Sequence, residues 1–447
     1  MKHFFVLLFL YYLRFFARLQ LKKISLLQKL KGSNLIAIGV TASAGKTTTV
    51  KTIYAALSPF YKIKLNTKSS ETGLSLNILD INTINYSLID WFRILTLAPI
   101  KFLFLNWKSY QIYLTEFGID APFWPKNMDF LLSILNPDIA VFLNVNPVHA
   151  QNFKKPSLKS ALNAIAKEKS KLTNSYKPNK LSIVNFDDPF VKNSINVSNQ
   201  LLTIGSKDTD IQILSTTNNQ HGFSADFIIN NKKYIVILKN QIQPTSFATS
   251  LASSLLIANH LGLDLDKIIT SLQANFQNEP SRSSLLLGIK NTTIIDSSYN
   301  SSPQAASEML DILSSFPGQK IAVLGDMREL GPQTKISHRR LYKHALNSSD
   351  LIIGVGPYTQ KYFKKSAKVQ TFLYWWQALD FLKNQIKGGE VILVKGSQNT
   401  IYLEELVKGL VENKLDQKNL CRQSPYWLSV KQKFHTQFVI DQLKIED

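Results

Sequence analysis

The chain opens on an apolar run. Phe4 to Leu13 is unbroken, and it extends to about Leu21 only by carrying Arg14 and Arg18. Arg14, Arg18 and Lys22 stand at i, i+4 and i+8, so on a helix they share one face. The run is about half the ~20 residues of a membrane span. The pattern predicts an amphipathic helix in a headgroup layer, or a short anchor with its basic end in the cytoplasm. A helix buried in the fold would read the same way. No small-x-small site follows the run, which argues against a cleaved signal peptide. A second apolar stretch, Tyr86 to Trp107, is interrupted by Asp90, Arg93, Pro99 and Lys101. Pro99 would break or kink a span, so this stretch predicts a surface or interfacial helix pair.

From about residue 35 apolar runs alternate with helical patterns. LIAIGV (35–40), QIYLTEF (111–117), DIAVFLN (138–144) and LSIVN (181–185) read as buried strands. Helical patterns fall near 125–135 and 157–172. Strands alternating with helices predict a mostly parallel sheet covered on both faces. Residues 201–238 look different, with short runs separated by Asn-Asn and Asn-Gln, and predict antiparallel strands. Helices follow at about 245–261 and 265–275. The polar segment NEPSRS (278–283) reads as a linker. Beyond it TTIIDS, KIAVLGD, DLIIGVG and EVILVKG form a second alternation, which predicts a Rossmann-like unit. The expected organisation is a leader at 1–34, a central domain at 35–277, a C-terminal domain at 278–413 and a polar tail at 414–447.

Composition narrows the class. A chain of 447 residues with 45% apolar positions can bury large cores and is no disordered polymer. The single cysteine, Cys421, excludes a disulfide framework or a multi-cysteine metal cluster. The net charge is +21, and residues 1–70 hold twelve bases and no acid. That asymmetry attracts an anionic partner. Because the leader's bases accompany Phe, Leu and Tyr runs, a lipid surface through residues 1–31 fits it better than nucleic acid.

The strongest local motif is GVTASAGKTTT (39–49), between a predicted strand and a predicted helix. Backbone N–H groups at such a turn point at an anion. Lys46 can reach terminal phosphates, and the Thr47 hydroxyl can bind Mg²⁺. Val40 stands where the strict pattern has its first glycine. Downstream, Glu116 ends a strand, where a carboxylate can hold Mg²⁺ near phosphates. His149 follows the next strand in a polar loop with Asn144, Asn146 and Pro147. Lys169 lies on a predicted helix and by itself reads as an ordinary solvated lysine.

Taken in order, GKTTT, TEFGID, NVNPVHAQNF, AKEKSKL, VNFDDP, SR, IDSSYNSSP, IAVLGDMRELG and VKGS…LEE resemble the Mur ligase family over about residues 35–412. SYN-x-x-P (298–303), LGDM-x-ELG (324–331) and ETGLSLNIL (71–79) are most similar to its branch that adds D-alanyl-D-alanine to UDP-N-acetylmuramoyl-tripeptide. The resemblance implies an α/β fold, a P-loop ATPase domain followed by a Rossmann-like domain that closes over the substrate. It implies ATP- and Mg²⁺-dependent amide formation in peptidoglycan precursor synthesis, through an acyl phosphate, by a cytoplasmic monomer. Its partners would be D-Ala-D-Ala and an anionic peptide or nucleotide-sugar precursor.

The matching positions place Ser43, Ala44, Gly45, Lys46, Thr47, Thr48, Asn144, Arg282 and Asp296 at the nucleotide. They place Thr47, Glu116 and His149 at the metal, and Tyr299, Asn300, Lys395 and Glu404 toward the substrate. Lys46, His149 and Lys169 are the catalytic candidates, and Lys169 aligns with a lysine carbamylated in related ligases. Asn185 and Asp188 match an N-x-D-D turn. The chain departs from the family in lacking the usual UDP-sugar domain before the first strand. Ala42 replaces a loop glycine and Ser297 the second acid of a pair, and Ser246-Phe247 stand near a family His-Asn helix start. A related ligase with another amino-acid substrate, of Mur or folylpolyglutamate type, and a non-catalytic membrane-associated ATP-binding protein are the alternatives.

Overall fold

The computed structural model describes residues 2–82, 88–147, 150–153, 155–196, 200–328, 330–397 and 401–446. The chain divides into two compact units. The first holds residues 1–216, 225–236 and 246–276, and the second holds 217–224, 237–245 and 277–447.

The first unit begins with α1 (Lys2–Leu30), β1 (Ile36–Thr41), α2 (Lys46–Leu57), β2 (Ile63–Asn66) and α3 (Glu71–Leu79). Then come α4 (Leu88–Ile100), continued by a π-helical turn at Lys101–Leu105, β3 (Ile112–Glu116), α5 (Met128–Ile134) and β4 (Ile139–Phe142). α6 (Leu158–Asn174), β5 (Leu181–Asn185), α7 (Pro189–Ser194) and β6 (Gln200–Gly205) follow. β7 (Ile211–Asn219), β8 (Gly222–Ile229) and β9 (Lys232–Lys239), whose residues are divided between the two units, precede α8 (Phe247–His260) and α9 (Leu265–Asn275). The strands order as β2-β3-β1-β4-β5-β6-β7-β8-β9. β2 through β6 pair in parallel, as the alternation predicted. The antiparallel reading of residues 201–238 is corrected at its start. β6 pairs with β5 in parallel, from Leu181↔Gln200 to Asn185↔Ile204, and β7 is parallel to β6. Short strands joined by polar turns hide direction, which long-range pairing decides.

Residues 2–30, expected as a leader, are one helix whose inner face belongs to the first unit. Leu10, Ala17, Leu21 and Ile24 pack with Leu74, Ile78, Tyr113 and Phe130. Phe9 and Leu13 pack with Leu76, Leu79, Ile94 and Ala98. Polar groups on that side also bond into the unit, although Gln20 Oε1 is buried without a partner. Arg14 donates to Ser133 Oγ at 3.1 Å, and buried Gln20 donates to the Asn106 carbonyl at 2.8 Å. Pro99 does not end α4, and the backbone widens into the π turn directly after it.

The second unit continues with β10 (Ser284–Gly288), β11 (Thr292–Ser297), α10 (Pro303–Ser315), β12 (Lys320–Gly325), α11 (Thr334–Ser348) and β13 (Leu351–Val355). It ends with α12 (Pro357–Tyr362), β14 (Val369–Phe372), α13 (Trp375–Gln385), β15 (Val391–Lys395), α14 (Leu403–Leu410) and α15 (Pro425–Glu446). The sheet order is β10-β11-β15-β12-β13-β14, parallel apart from β10. Strand alternation sends Ile295, Leu393 and Leu324 into one core and Ile294, Ile392, Val394 and Val323 into the other. Helices cover both faces, as a buried parallel sheet requires.

Candidate active site

In the first unit the phosphate loop links β1 to α2. Gly45 adopts φ 83° directly before α2, a left-handed conformation that glycine takes without steric cost. Asn144, at the end of β4, clamps the loop. Its Oδ1 accepts from the Ala44 N–H at 2.9 Å, and its Nδ2 donates to the Ala44 carbonyl at 3.0 Å. The Ser43 N–H donates to the Asn144 carbonyl at 3.0 Å. The N-x-D-D turn braces this clamp. Asn185 Nδ2 donates to the Leu143 carbonyl, and Asp188 Oδ2 accepts from the Val145 N–H.

Ala42 costs the loop no left-handed strain, because it keeps a negative φ. Its buried carbonyl is the point where two lysines meet. Lys46 Nζ donates to it at 2.9 Å, and Lys169 Nζ, arriving from α6, donates at 3.0 Å. Lys169 is 4% exposed. Burial brings its ammonium down to about 7, with the charge of Lys46 acting in the same direction and Asp120 against it. Its helix position read as a solvated lysine; packing makes it a buried amine. Burial also lowers Lys46, opposed by Glu116 and Asp120.

Glu116 ends β3 beside the loop. Burial raises its carboxyl, while a hydrogen bond from Thr47 and the charge of Lys46 oppose that rise. Its buried Oε1 has no hydrogen-bond partner. An orphaned carboxylate oxygen next to a threonine hydroxyl suits Mg²⁺, which needs few protein ligands when phosphates and waters supply the rest. No cluster of three acidic, His or Cys ligands occurs among the described residues. His149, the other expected ligand, lies outside them.

Ser43, Lys46, Ser69, Gly118, Asp120, Ile165 and Lys169 line one cavity of about 60 Å³. At Gly118 a Cβ would stand 2.7 Å from Ser69 Oγ, so glycine permits that approach. Asp120 and Ser69 escaped the sequence reading. Asp120 follows Glu116 by four residues in a loop, and no pattern distinguishes it.

The second unit gathers the other candidates at the carboxyl ends of β11 and β15. Buried Lys395 donates to Ser297 Oγ at 3.2 Å and to the Asn300 carbonyl at 2.8 Å. Burial lowers its ammonium to about 8, and the Arg282 charge adds to the effect. The Arg282 guanidinium lies 4.5 Å from the centre of the Tyr299 ring. Tyr299 and Asn300 face outward more than their neighbours do.

Two of the expected site residues are fully buried here. Asp296, expected at the nucleotide, is fully buried and accepts from the Ser298 N–H at 3.1 Å and the Ser298 hydroxyl at 2.7 Å. Glu404, expected toward substrate, is 0% exposed and grips Arg422 through both oxygens at 2.8 Å. Arg422 also donates to the Tyr299 and Ser298 carbonyls at 3.0 and 3.2 Å. Burial would lower the guanidinium's pKa, but the hydrogen bonds and charge of Glu404 raise it. Both acids hold the Ser298–Asn300 turn from inside. Arg422 went unnoticed because it sits in the segment read as a polar tail.

Residues 40–243 match the model of the Mur ligase middle domain, and residues 281–398 match that of the Mur ligase glutamate ligase domain. The chain belongs to the Mur ligase family. It is thus a ligase of the ATP-dependent kind, with the middle and C-terminal domains of that family. This Mur ligase is 27% identical over 393 residues to the UDP-N-acetylmuramoyl-tripeptide--D-alanyl-D-alanine ligase of Bacillus subtilis, covering 85% of this chain and 76% of that one. The Escherichia coli protein of the same name is 25% identical over 288 residues, 63% of this chain and 62% of that one. The MurF ligase of Thermotoga maritima, solved in complex with ADP, superposes with a TM-score of 0.66 at 24% identity, over 91% of this chain and 84% of that one. MurF from Acinetobacter baumannii gives 0.67 at 20% identity, over 89% and 80%.

Proposed function

We propose that this Mur ligase joins D-alanyl-D-alanine to a UDP-MurNAc-tripeptide-like acceptor. The observation that carries the reading is the convergence of Lys46 and Lys169 on one cavity at the phosphate loop, with the Thr47–Glu116 pair within the electrostatic reach of Lys46. Similarity to the D-alanyl-D-alanine ligases supports the choice of substrates.

The loop N–H groups and Lys46 hold the ATP phosphates, and Lys46 neutralises charge as the γ-phosphoryl passes to an acceptor carboxylate oxygen. ADP leaves and an acyl phosphate forms. The D-Ala-D-Ala amine then attacks the acyl carbon, the carbon–oxygen bond to phosphate breaks, and the amine loses a proton. Mg²⁺, held by Thr47 and Glu116 with His149, supplies electrostatic stabilisation of the phosphoryl oxygens when bound. Lys169 is poised as a neutral amine, the form that carbamylation by CO₂ requires. Lys395, Tyr299 and Asn300 form the C-terminal unit's contribution, and Arg282 serves the nucleotide phosphates. The enzyme acts as a monomer on the inner face of the plasma membrane.

Mass spectrometry of the product made from ATP, D-Ala-D-Ala and UDP-MurNAc-tripeptide tests this. The ligated pentapeptide is the expected product, and Lys46→Ala abolishes it. ATP binding with no ligation of this or a related precursor would favour a non-catalytic protein instead.

A further inference from the structure

The placement at the membrane leaves open which surface makes the contact. We infer that α1 and the α4–π segment together form a docking face for an anionic lipid bilayer. α1 carries three stripes. One faces the core, through Leu10, Leu13, Ala17, Leu21 and Ile24. A second faces α4: Phe9 meets Trp91 at 4.2 Å between ring centres, the Tyr12 hydroxyl donates to the Leu95 carbonyl at 2.6 Å, and Phe16 meets Phe102 at 6.2 Å. These contacts advance in step, so the two segments run side by side in one direction.

The third stripe faces out. Leu8, Tyr11, Phe15, Arg18, Lys22 and Lys29 are all exposed and follow one another at helical spacing. Its first half is apolar and its second half is basic apart from exposed Leu26. The neighbouring segment exposes Phe92 at 71%, Phe104 at 72% and Trp107 at 55%, with exposed Leu103 and Leu105 on either side of Phe104. Apolar side chains grouped this way on two adjacent segments mark an interaction surface.

Charge selects the occupant. α1 holds six bases and no acid, and the α4–π segment adds Arg93 and Lys101 against Asp90. An anionic bilayer satisfies both the apolar and the basic residues, since bases near such a surface are drawn to its charge. A second copy docking isologously would bring acid-free stripes together. No described helix is long and apolar enough to cross a membrane, so this face lies on the bilayer.

This deepens the peripheral placement proposed above and is independent of the ligase chemistry. The test is co-sedimentation of the full chain with vesicles of phosphatidylcholine alone, or with about 30% phosphatidylglycerol to supply anionic charge. The full chain should bind the anionic vesicles, less so as salt rises. Phe92→Ser with Phe104→Ser, and separately Arg18→Glu with Lys22→Glu, should each weaken binding by roughly tenfold. All four residues are exposed, so melting temperature and ligation of soluble substrates should stay at wild-type values. No sedimentation of the full chain would remove the membrane placement itself. Sedimentation indifferent to both pairs would keep the placement and remove this face. Self-association lost in the phenylalanine pair, without vesicle binding, would assign the face to a protein contact.

Discussion

At the residue scale, the chemistry of the phosphate loop rests on one carbonyl. Ala42 O receives both Lys46 and Lys169, and the two amines oppose each other's charge. Burial, with the Lys46 charge adding to it, brings Lys169 to about 7 when folded, against an ordinary 10.5. Between those values the unfolded chain binds a proton that the folded chain does not. Stability from this group rises with pH across that window and is lost as pH falls from about 10 towards 7. Lys169→Met removes the titration. In CO₂-free buffer, its thermal stability relative to wild type should be greatest near pH 7 and decline towards pH 10, while ligation is lost. A stability difference flat across that range would contradict the buried amine. The phosphate loop and Glu116 were legible in the sequence because strand–loop–helix spacing carries them. The burial of Asp296 and Glu404 was not, because a motif names a residue and packing decides which way it faces.

At the element scale, local pattern and long-range packing divide the information. Alternation identified the parallel strands of both units, since a strand buried on both faces reads as a continuous apolar run. It misread β6, whose direction is set by pairing with β5. It also missed the structural part of the segment after α14. Arg422 lies eighteen positions beyond Glu404 and contacts carbonyls more than a hundred positions earlier, a relation no periodicity encodes. Lys431, on α15, adds a second cation to Glu404 at 3.4 Å and also pairs with Glu405. Arg422→Ala leaves the buried Glu404 without its forked partner, a loss of about 3–5 kcal/mol. Denaturant unfolding should show that loss. Arg422→Lys should recover only part of it, because an ammonium cannot reproduce two parallel bonds. If Arg422 positions the Ser298–Asn300 turn, Arg422→Lys should also raise KM for substrate more than it lowers kcat. A kinetically silent Arg422→Lys would reduce the residue to a purely structural tie.

At the scale of the whole molecule, the charge that first suggested an anionic partner resolves into separate tasks. Lys46 belongs to the phosphate loop, and the outer bases of α1 belong to the surface. The inner face of that same helix is core. An N-terminal segment that served only as an anchor could be removed without consequence for the rest of the chain. Here Phe9, Leu10, Leu13, Leu21 and Ile24 are all 9% exposed or less. At about 1.5–3 kcal/mol for each buried side chain, their removal forfeits on the order of 10 kcal/mol. That matches the roughly 5–15 kcal/mol of a typical folded domain. Deleting residues 1–31 should therefore yield insoluble protein, or protein without a cooperative thermal transition, in the absence of any lipid. Loss of vesicle binding by that deletion would consequently say nothing about the bilayer, whereas substitutions on the outer stripe would. A soluble deletion variant that melts like the full chain would show that α1 contributes little to the core.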